Sequence, residues 1–243
     1  ALAVEEAGTG PAPATSGEVC PGITWTYDTG SKTLTVSGSG DITLSDPYSG
    51  GNNPPWNAFK REIEHLVIGD RITGTASIKV FADMSALESV EFPSTLTKLY
   101  TGTFASDTAL QNVVLPDTIE RIGPVVFSNC NNLKTLVVKN QNLTMPTTGH
   151  WSTDLTGGSE NPVYKLPVDL TVYGYKWKSD NDENLTDIYR YVQWQNENNG
   201  GSIQFVALDD AEAAKGGLIK NAAGSSNQIY WAFNEDTKTL TVS

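Results

Sequence analysis

The stretch LQNVVLPDTIERIGPVVFSNCNN, residues 110–132, decides the fold, because the stretch of equal length just before it, LESVEFPSTLTKLYTGTFASDTA at 87–109, has the same pattern. Leu87, Leu110 and Leu133 recur at one spacing, as do Val90, Val113 and Leu136, and Phe92, Leu115 and Val138. Leu96 matches Ile119, Leu99 matches Ile122, and Phe81, Phe104 and Phe127 complete the set. One unit upstream, Ile63, Leu66, Ile68 and Ile72 fit if that unit carries one extra residue. A period in the range of roughly 20–50 residues is the mark of a supersecondary unit that stacks on copies of itself.

The spacing carries its own physics. Leu-x-x-Val-x-Phe/Leu predicts a short strand whose alternate residues face inward. Pro93 and Pro116 follow it, where a missing N–H ends a ladder. Two further apolar residues and then a phenylalanine return the chain around a flattened coil. No such coil buries its apolar face alone, so coils stack at about 4.8 Å per step. The phenylalanines are predicted to form a column, with Cys130 near its last member. Outward positions are then Glu88, Ser89 and Glu91, next Gln111, Asn112 and Val114, and last Lys134, Thr135 and Val137.

The pattern LPDTIERIGPVVFSNCNNLKTLVV closely resembles the BspA-type leucine-rich repeat of bacterial surface proteins, strongly over 110–138, well over 87–109 and loosely over 62–86. ITWTYDTGSKTLTVSGSGDI (23–42) with PPWNAF (54–59) looks like the β-hairpin segment that precedes such repeats, and DLTVYGYK (169–176) with SIQFVALDD (202–210) like the segment that closes them. The resemblance implies a β-rich α/β fold: a short right-handed leucine-rich-repeat solenoid with a parallel sheet. An N-terminal β-hairpin cap and a mixed α/β C-terminal cap complete it.

Thr24–Ser37 reads as two alternating strands joined by Asp28-Thr29-Gly30-Ser31. IYWAFNEDTKTLTVS at 229–243 repeats this hairpin, aligning Trp231 with Trp25, Phe233 with Tyr27 and Leu240 with Leu34. That copy either begins another array or packs on the present domain, and continuation is the favoured reading. Asn184–Asn198 is the one convincing helix, with Leu185, Ile188, Tyr189 and Val192 at helical spacing and Gly200-Gly201 to stop it. The expected organisation is a leader at 1–17, a hairpin cap at 18–61 and about three coils plus a partial one at 62–138. A divergent insertion and cap at 139–210 follow, then a linker and second hairpin at 211–243.

A net charge of −12 argues against nucleic acid and against an anionic membrane surface, both of which attract lysine and arginine. No run approaches the roughly 18 apolar residues that span a bilayer. Ala1-Leu2-Ala3 resembles the end of a signal-peptide cleavage region, and GTGPAPATSG (8–17) has no core-forming pattern. Both point to a secreted or cell-surface protein. Cys20 and Cys130 lie far apart in the chain. The repeat directs Cys130 into its core, which favours a free buried thiol over a disulfide.

Chemistry is sparse. There is no Gly-x-Ser-x-Gly elbow, phosphate loop or His-Glu-x-x-His. His65 and His150 are too scattered to act together, and Asp117 and Glu120 lie on exposed sides of coils. Asp180–Asn184 places oxygen ligands alternately, but Leu185 and Tyr191 stand where a calcium loop needs Gly and Glu. The plainer reading is a turn that puts Asp182 or a neighbour at the helix N-terminus. Aromatic residues crowd the C-terminal third, chiefly as core, with Trp151, Trp177 and Tyr175 as candidates for an exposed platform. The second candidate site is the outer sheet face, through Glu88, Glu91, Gln111, Asn112 and Lys134.

No enzyme, cofactor or metal is expected. The family resemblance implies an adhesin-like module that binds a host matrix protein or a host or bacterial surface protein, and a monomer is expected. A glycan-binding module using the aromatics, or a spacer unit with no ligand, are the alternatives.

Overall fold

The computed structural model describes residues 12–44, 53–145, 166, 169–178, 181–199, 202–208, 217–219, 229–234 and 239–242. The first described elements form an antiparallel meander: β1 (Ser16–Cys20), β2 (Ile23–Asp28) and β3 (Thr33–Gly38). The expected alternation holds, with Ile23, Trp25, Tyr27, Leu34 and Val36 all buried. At the turn, the Asp28 carboxylate accepts N–H bonds from Gly30 and Ser31 at 2.8 and 2.9 Å. The Ser31 and then the Gly30 bond hold that carboxyl below its usual range. β1 was not anticipated, since SGEVC has no alternation to announce it.

Beyond β4 (Gly40–Ile42) the repeats begin, and each contributes to three sides of a stack. On the first side β5 (His65–Ile68) pairs in parallel with β3, setting Leu66 beside Leu34 and Ile68 beside Val36. β7 (Ser89–Glu91) follows in the same sense. A second parallel sheet takes up β9 (Asn112–Val114), β11 (Thr135–Val138), β12 (Thr171–Gly174) and β15 (Gln204–Ala207). On the second side β6 (Ile72–Thr75), β8 (Lys98–Leu99) and β10 (Arg121–Ile122) continue in parallel from β4, and Thr144 bridges to Arg121. Threonine hydroxyls tie the turns between these sides. Thr95 donates to the Ile72 carbonyl at 2.7 Å and Thr118 to that of Leu96 at 2.8 Å.

The third side has no regular secondary structure, yet it is laddered as well. The N–H groups of Lys79, Phe81 and Asp83 donate to the carbonyls of Thr101, Thr103 and Ala105. Those of Gly102, Phe104 and Ser106 donate to Pro124, Val126 and Ser128, and all six bonds measure 2.7–3.0 Å. The chain makes these bonds by entering the left-handed region twice per repeat. Lys79, Gly102 and Val125 have φ of 55°, 63° and 50°, and Asp83, Ser106 and Asn129 have 61°, 67° and 60°. Only Gly102 escapes the steric cost there. For a β-branched residue such as Val125 that cost is on the order of 1–2 kcal/mol.

Inside the three sides runs an aromatic column. Trp56 stacks on Phe81 at 5.5 Å between ring centroids, Phe81 on Phe104 at 5.8 Å, and Phe104 on Phe127 at 5.8 Å. Trp25 meets Trp56 edge-on at 6.2 Å, so the meander and the repeats share one core. Cys20 and Cys130 are both free thiols. Cys130 is fully buried and donates to the Phe104 carbonyl at 3.0 Å, and burial pushes its thiol up to about 12.

Three findings depart from the sequence reading. The first side is not one sheet, because no ladder joins β7 to β9 among the described residues. At one equivalent inward position β3, β5 and β11 carry Val36, Ile68 and Val138, and Leu115 follows β9. The equivalent residue after β7 is Phe92, whose ring stands edge-on against Phe104 at 5.8 Å and 89°. We attribute the break to that bulk. Val137, read as outward, is buried, because it lies between Val114 and Tyr173 of the adjoining strands, whose side chains share its face.

The helix α1 spans Asp187–Asn199 rather than Asn184–Asn198, since Asn181–Leu185 pairs as β14 with β13 (Trp177–Lys178). Its cap is Thr186, not Asp182. The Thr186 hydroxyl accepts the Tyr189 N–H at 3.3 Å and donates to the Tyr175 carbonyl at 2.6 Å. Its buried side holds Ile188, Tyr191, Val192 and Gln195, with Tyr189 only half-buried.

The column that contains Met84 and Cys130 also contains Asp107, fully buried. One carboxyl oxygen accepts the Met84 N–H at 2.8 Å, and Oδ2 has no partner. Burial holds this carboxyl well above the ordinary carboxylate range. In the unfolded chain it ionises at pH ~3.9 and in the folded chain only at higher pH, so raising the pH favours unfolding. Its contribution is therefore fully present in acid and lost as the pH climbs from about 4 toward the folded value. Asp107→Asn keeps the acceptor and cannot ionise. Urea titrations from pH 4 to 7 should show the variant gaining stability relative to the parent with each pH step. A constant difference would show that folding does not raise the Asp107 carboxyl.

Candidate functional site

Strands that stack in register present rows of side chains, and the first side of the stack presents two to the outside. One row runs Thr33, His65 and Ser89 on the first sheet and Asn112, Thr135, Thr171 and Gln204 on the second. His65 Nδ1 and the Ser89 hydroxyl are hydrogen-bonded at 2.8 Å along it. The other row runs Thr35, Val67 and Glu91, then Val114, Val137, Tyr173 and Val206. Val67, Val114, Tyr173 and Val206 are half-buried and Glu91 is exposed. A hydroxyl and amide row thus lies beside a largely aliphatic one.

The sequence candidates fall where the register requires. Glu88, Gln111 and Lys134 precede the strands at equivalent positions, the first two half-buried and Lys134 exposed. Asn112 lies in the polar row and Glu91 in the aliphatic one. Beside Glu88, on the preceding coil, Glu64 is ion-paired to Lys32. Tyr173 and Val206 were missed. Aligning TLVV (135–138) with TVYG (171–174) and QFVA (204–207) would have found them, but the long intervening segments hide the period.

The aromatic candidates divide. Trp151 lies outside the described residues. Tyr175 and Trp177 follow β12 directly, and both are half-buried rather than displayed. The Lys176 ammonium sits 5.0 Å from the Trp177 ring centroid and 5.6 Å from that of Tyr189. Tyr189 in turn meets Phe205 edge-on at 4.9 Å. This packing joins the α1 surface to β15. Asp187 anchors the same helix: it accepts the Met145 N–H at 3.1 Å and pairs with Lys178 at 3.3 Å and Arg190 at 3.5 Å.

Two further places have some of the features of a site. On the second side, Asp41 accepts from Thr73 at 2.7 Å and pairs with Lys98 at 2.5 Å. Burial raises the Asp41 carboxyl, but the Lys98 and Thr73 bonds outweigh it and leave the group below its usual range. This is a clasp between coils. A cavity of about 20 Å³ between the last repeat and α1 is lined by Ile122, Val126, Phe127, Met145, Leu166 and Tyr191. It has room for about one water molecule. Among the described residues no three His, Cys, Asp or Glu side chains are grouped to hold a metal ion. No described helix is long and apolar enough to cross a membrane.

Stacked parallel strands on two sides, a hydrogen-bonded return on the third and a column of apolar side chains define a leucine-rich-repeat-like protein. Residues 57–153 match the model of the BspA type leucine-rich repeat region, in six copies. No curated protein matches the chain. Among solved structures, a leucine-rich repeat protein from Eubacterium ventriosum is similar at 20% identity and a TM-score of 0.49, over 70% of this chain and 45% of that one. The pneumococcal vaccine antigen PcpA is similar at 14% identity and 0.40, over 60% and 36%. A leucine-rich cell surface protein from Faecalibacterium prausnitzii is similar at 12% identity and 0.28, over 89% and 58%. In each case the match spans less than two thirds of the other protein.

The assignment of faces has a direct test in two neighbouring residues of β9. Val113 is buried and Val114 half-buried on the outer face. Val113→Asp should cost at least about 3 kcal/mol, because an unpaired charge enters the core, while Val114→Asp should cost less than about 1 kcal/mol. Urea denaturation of the two variants checks this, and equal losses would contradict the register.

Proposed function

We propose that this chain is a secreted or cell-surface binding module of a bacterial protein, and that it recognises another protein through the outer face of its first side. In this reading the repeats form a short right-handed solenoid, closed at one end by the β1–β3 meander and at the other by the α1 region. The module binds as a monomer and carries out no catalysis.

The observation that carries the reading is the half-buried apolar row of Val67, Val114, Tyr173 and Val206 beside the row of Thr, Ser, Asn and Gln side chains. Protein interfaces combine an apolar centre with hydrogen-bonding neighbours, and repeat stacks offer that combination over an extended, rigid surface. Glu88, Glu91, Gln111, Asn112 and Lys134 would then set specificity around the apolar row. The partner in this reading is a host matrix protein or a host or bacterial surface protein. Trp177 and Tyr175 are the residues a glycan would engage instead, and the Lys176 ammonium over the Trp177 ring is why the protein reading is preferred.

The experiment is a binding screen of the whole chain against a panel of matrix proteins and a glycan array. It should be repeated with Val114→Glu/Tyr173→Glu and with Trp177→Ala. We expect a protein ligand whose affinity falls at least about 10-fold in the double variant, the scale of an interface hot spot, and is unchanged in Trp177→Ala. Glycan binding lost in Trp177→Ala, or no binding in either screen, would overturn the assignment.

A further inference from the structure

The three strands β16 (Gly217–Ile219), β17 (Ile229–Asn234) and β18 (Thr239–Val242) form a second antiparallel meander. Its register duplicates that of the first. Trp25 opposes Val36, Tyr27 opposes Leu34 and Asp28 opposes Thr33. Position for position, Trp231 opposes Val242, Phe233 opposes Leu240 and Asn234 opposes Thr239. KTLTV stands at both 32–36 and 238–242. Even the third strand agrees, since glycine faces the tryptophan in each copy, Gly17 opposite Trp25 and Gly217 opposite Trp231. In the first copy there is a steric reason, because a Cβ on Gly17 would stand 3.2 Å from Trp25 Nε1.

What the first meander does with its far edge is known. The carbonyls of Lys32 and Val36 accept N–H bonds from His65 at 3.2 Å and Gly69 at 2.9 Å, and the first repeat strand is thereby laid down in parallel. In the second meander the sheet ends at β18 among the described residues, so the equivalent edge, Thr239–Val242, is not taken up there. An edge strand is a template for pairing, and this one has the sequence and register of a strand that starts a repeat stack. We propose that the outer edge of β18 is the seat of a further leucine-rich coil. That coil would pair in parallel with an apolar residue at every second position, as Leu66 and Ile68 do, and join through a connector like the one between β3 and β5. The inference stands on register alone and is independent of what the outer sheet face binds.

The test appends a copy of residues 38–138 after Ser243, which is the counterpart of Ser37, and follows amide hydrogen exchange across the extended chain. The amides of 239–242 and of the appended His65–Ile68 copy should exchange at least about 10-fold more slowly than 239–242 in the unextended chain. Leu240→Asp in the extended chain should remove protection from both segments together. Appended coils that exchange freely, or that are protected while 239–242 is unchanged, would overturn the proposal. Protection of 239–242 in the unextended chain that rises with protein concentration would assign the edge to a second copy, and would overturn it as well.

Discussion

Every backbone N–H and C=O that a coil turns toward its neighbour must find a partner there, because the coils lie too close for water to enter between them. That demand is met by direct bonds on the second and third sides, and on the first side except between β7 and β9. Two sides use parallel strand ladders, and the third uses bonds such as Phe81 N–H to Thr103 and Phe104 N–H to Val126. The demand also fixes the period. A residue gained or lost in one coil would put its donors opposite donors and its apolar side chains outside. The spacing from Leu87 to Leu110 is therefore kept from Leu110 to Leu133.

Given that frame, the core follows. The aromatic column from Trp56 to Phe127 is the result of one position per coil being carried along the stack, and it is continuous with Trp25 of the meander. Fully buried rings of this kind are worth on the order of 3–5 kcal/mol each against alanine. They offset the left-handed residues that each return requires, Val125 included. Asp107 marks the one place in the Met84–Cys130 column where the pattern was relaxed, and burial raises its carboxyl well above the ordinary carboxylate range.

How much of this is legible in the sequence depends on whether a side chain or the backbone does the work. The inward rows, the phenylalanine column, the buried Cys130 and the Asp28 turn are all side-chain signals, and the spacing of apolar residues announces them. The third-side ladder is made by backbone groups of Lys79, Phe81 and Asp83, whose side chains say nothing of it. Strands as short as Lys98–Leu99 have no alternation to read. Proximity effects were also invisible. Phe92 satisfies the repeat pattern yet the ladder breaks beside it, and Val137 is buried by neighbours on other coils. Of the candidate site, Glu88, Glu91, Gln111, Asn112 and Lys134 could be placed by period alone. Tyr173 and Val206 could not, because β11, β12 and β15 start at Thr135, Thr171 and Gln204, well outside the spacing that Leu87, Leu110 and Leu133 set.

Stacking on three sides is the central claim, and the third side is where it departs most from what strands alone would give. Native-state hydrogen exchange of the Lys79, Phe81, Asp83, Gly102, Phe104 and Ser106 amides measures it directly. These loop amides should exchange only through global unfolding, with the same protection and the same denaturant dependence as Leu136 in β11. Exchange through local opening, at rates typical of surface turns, would show that the returns hang loosely on a two-sided stack and would contradict the account.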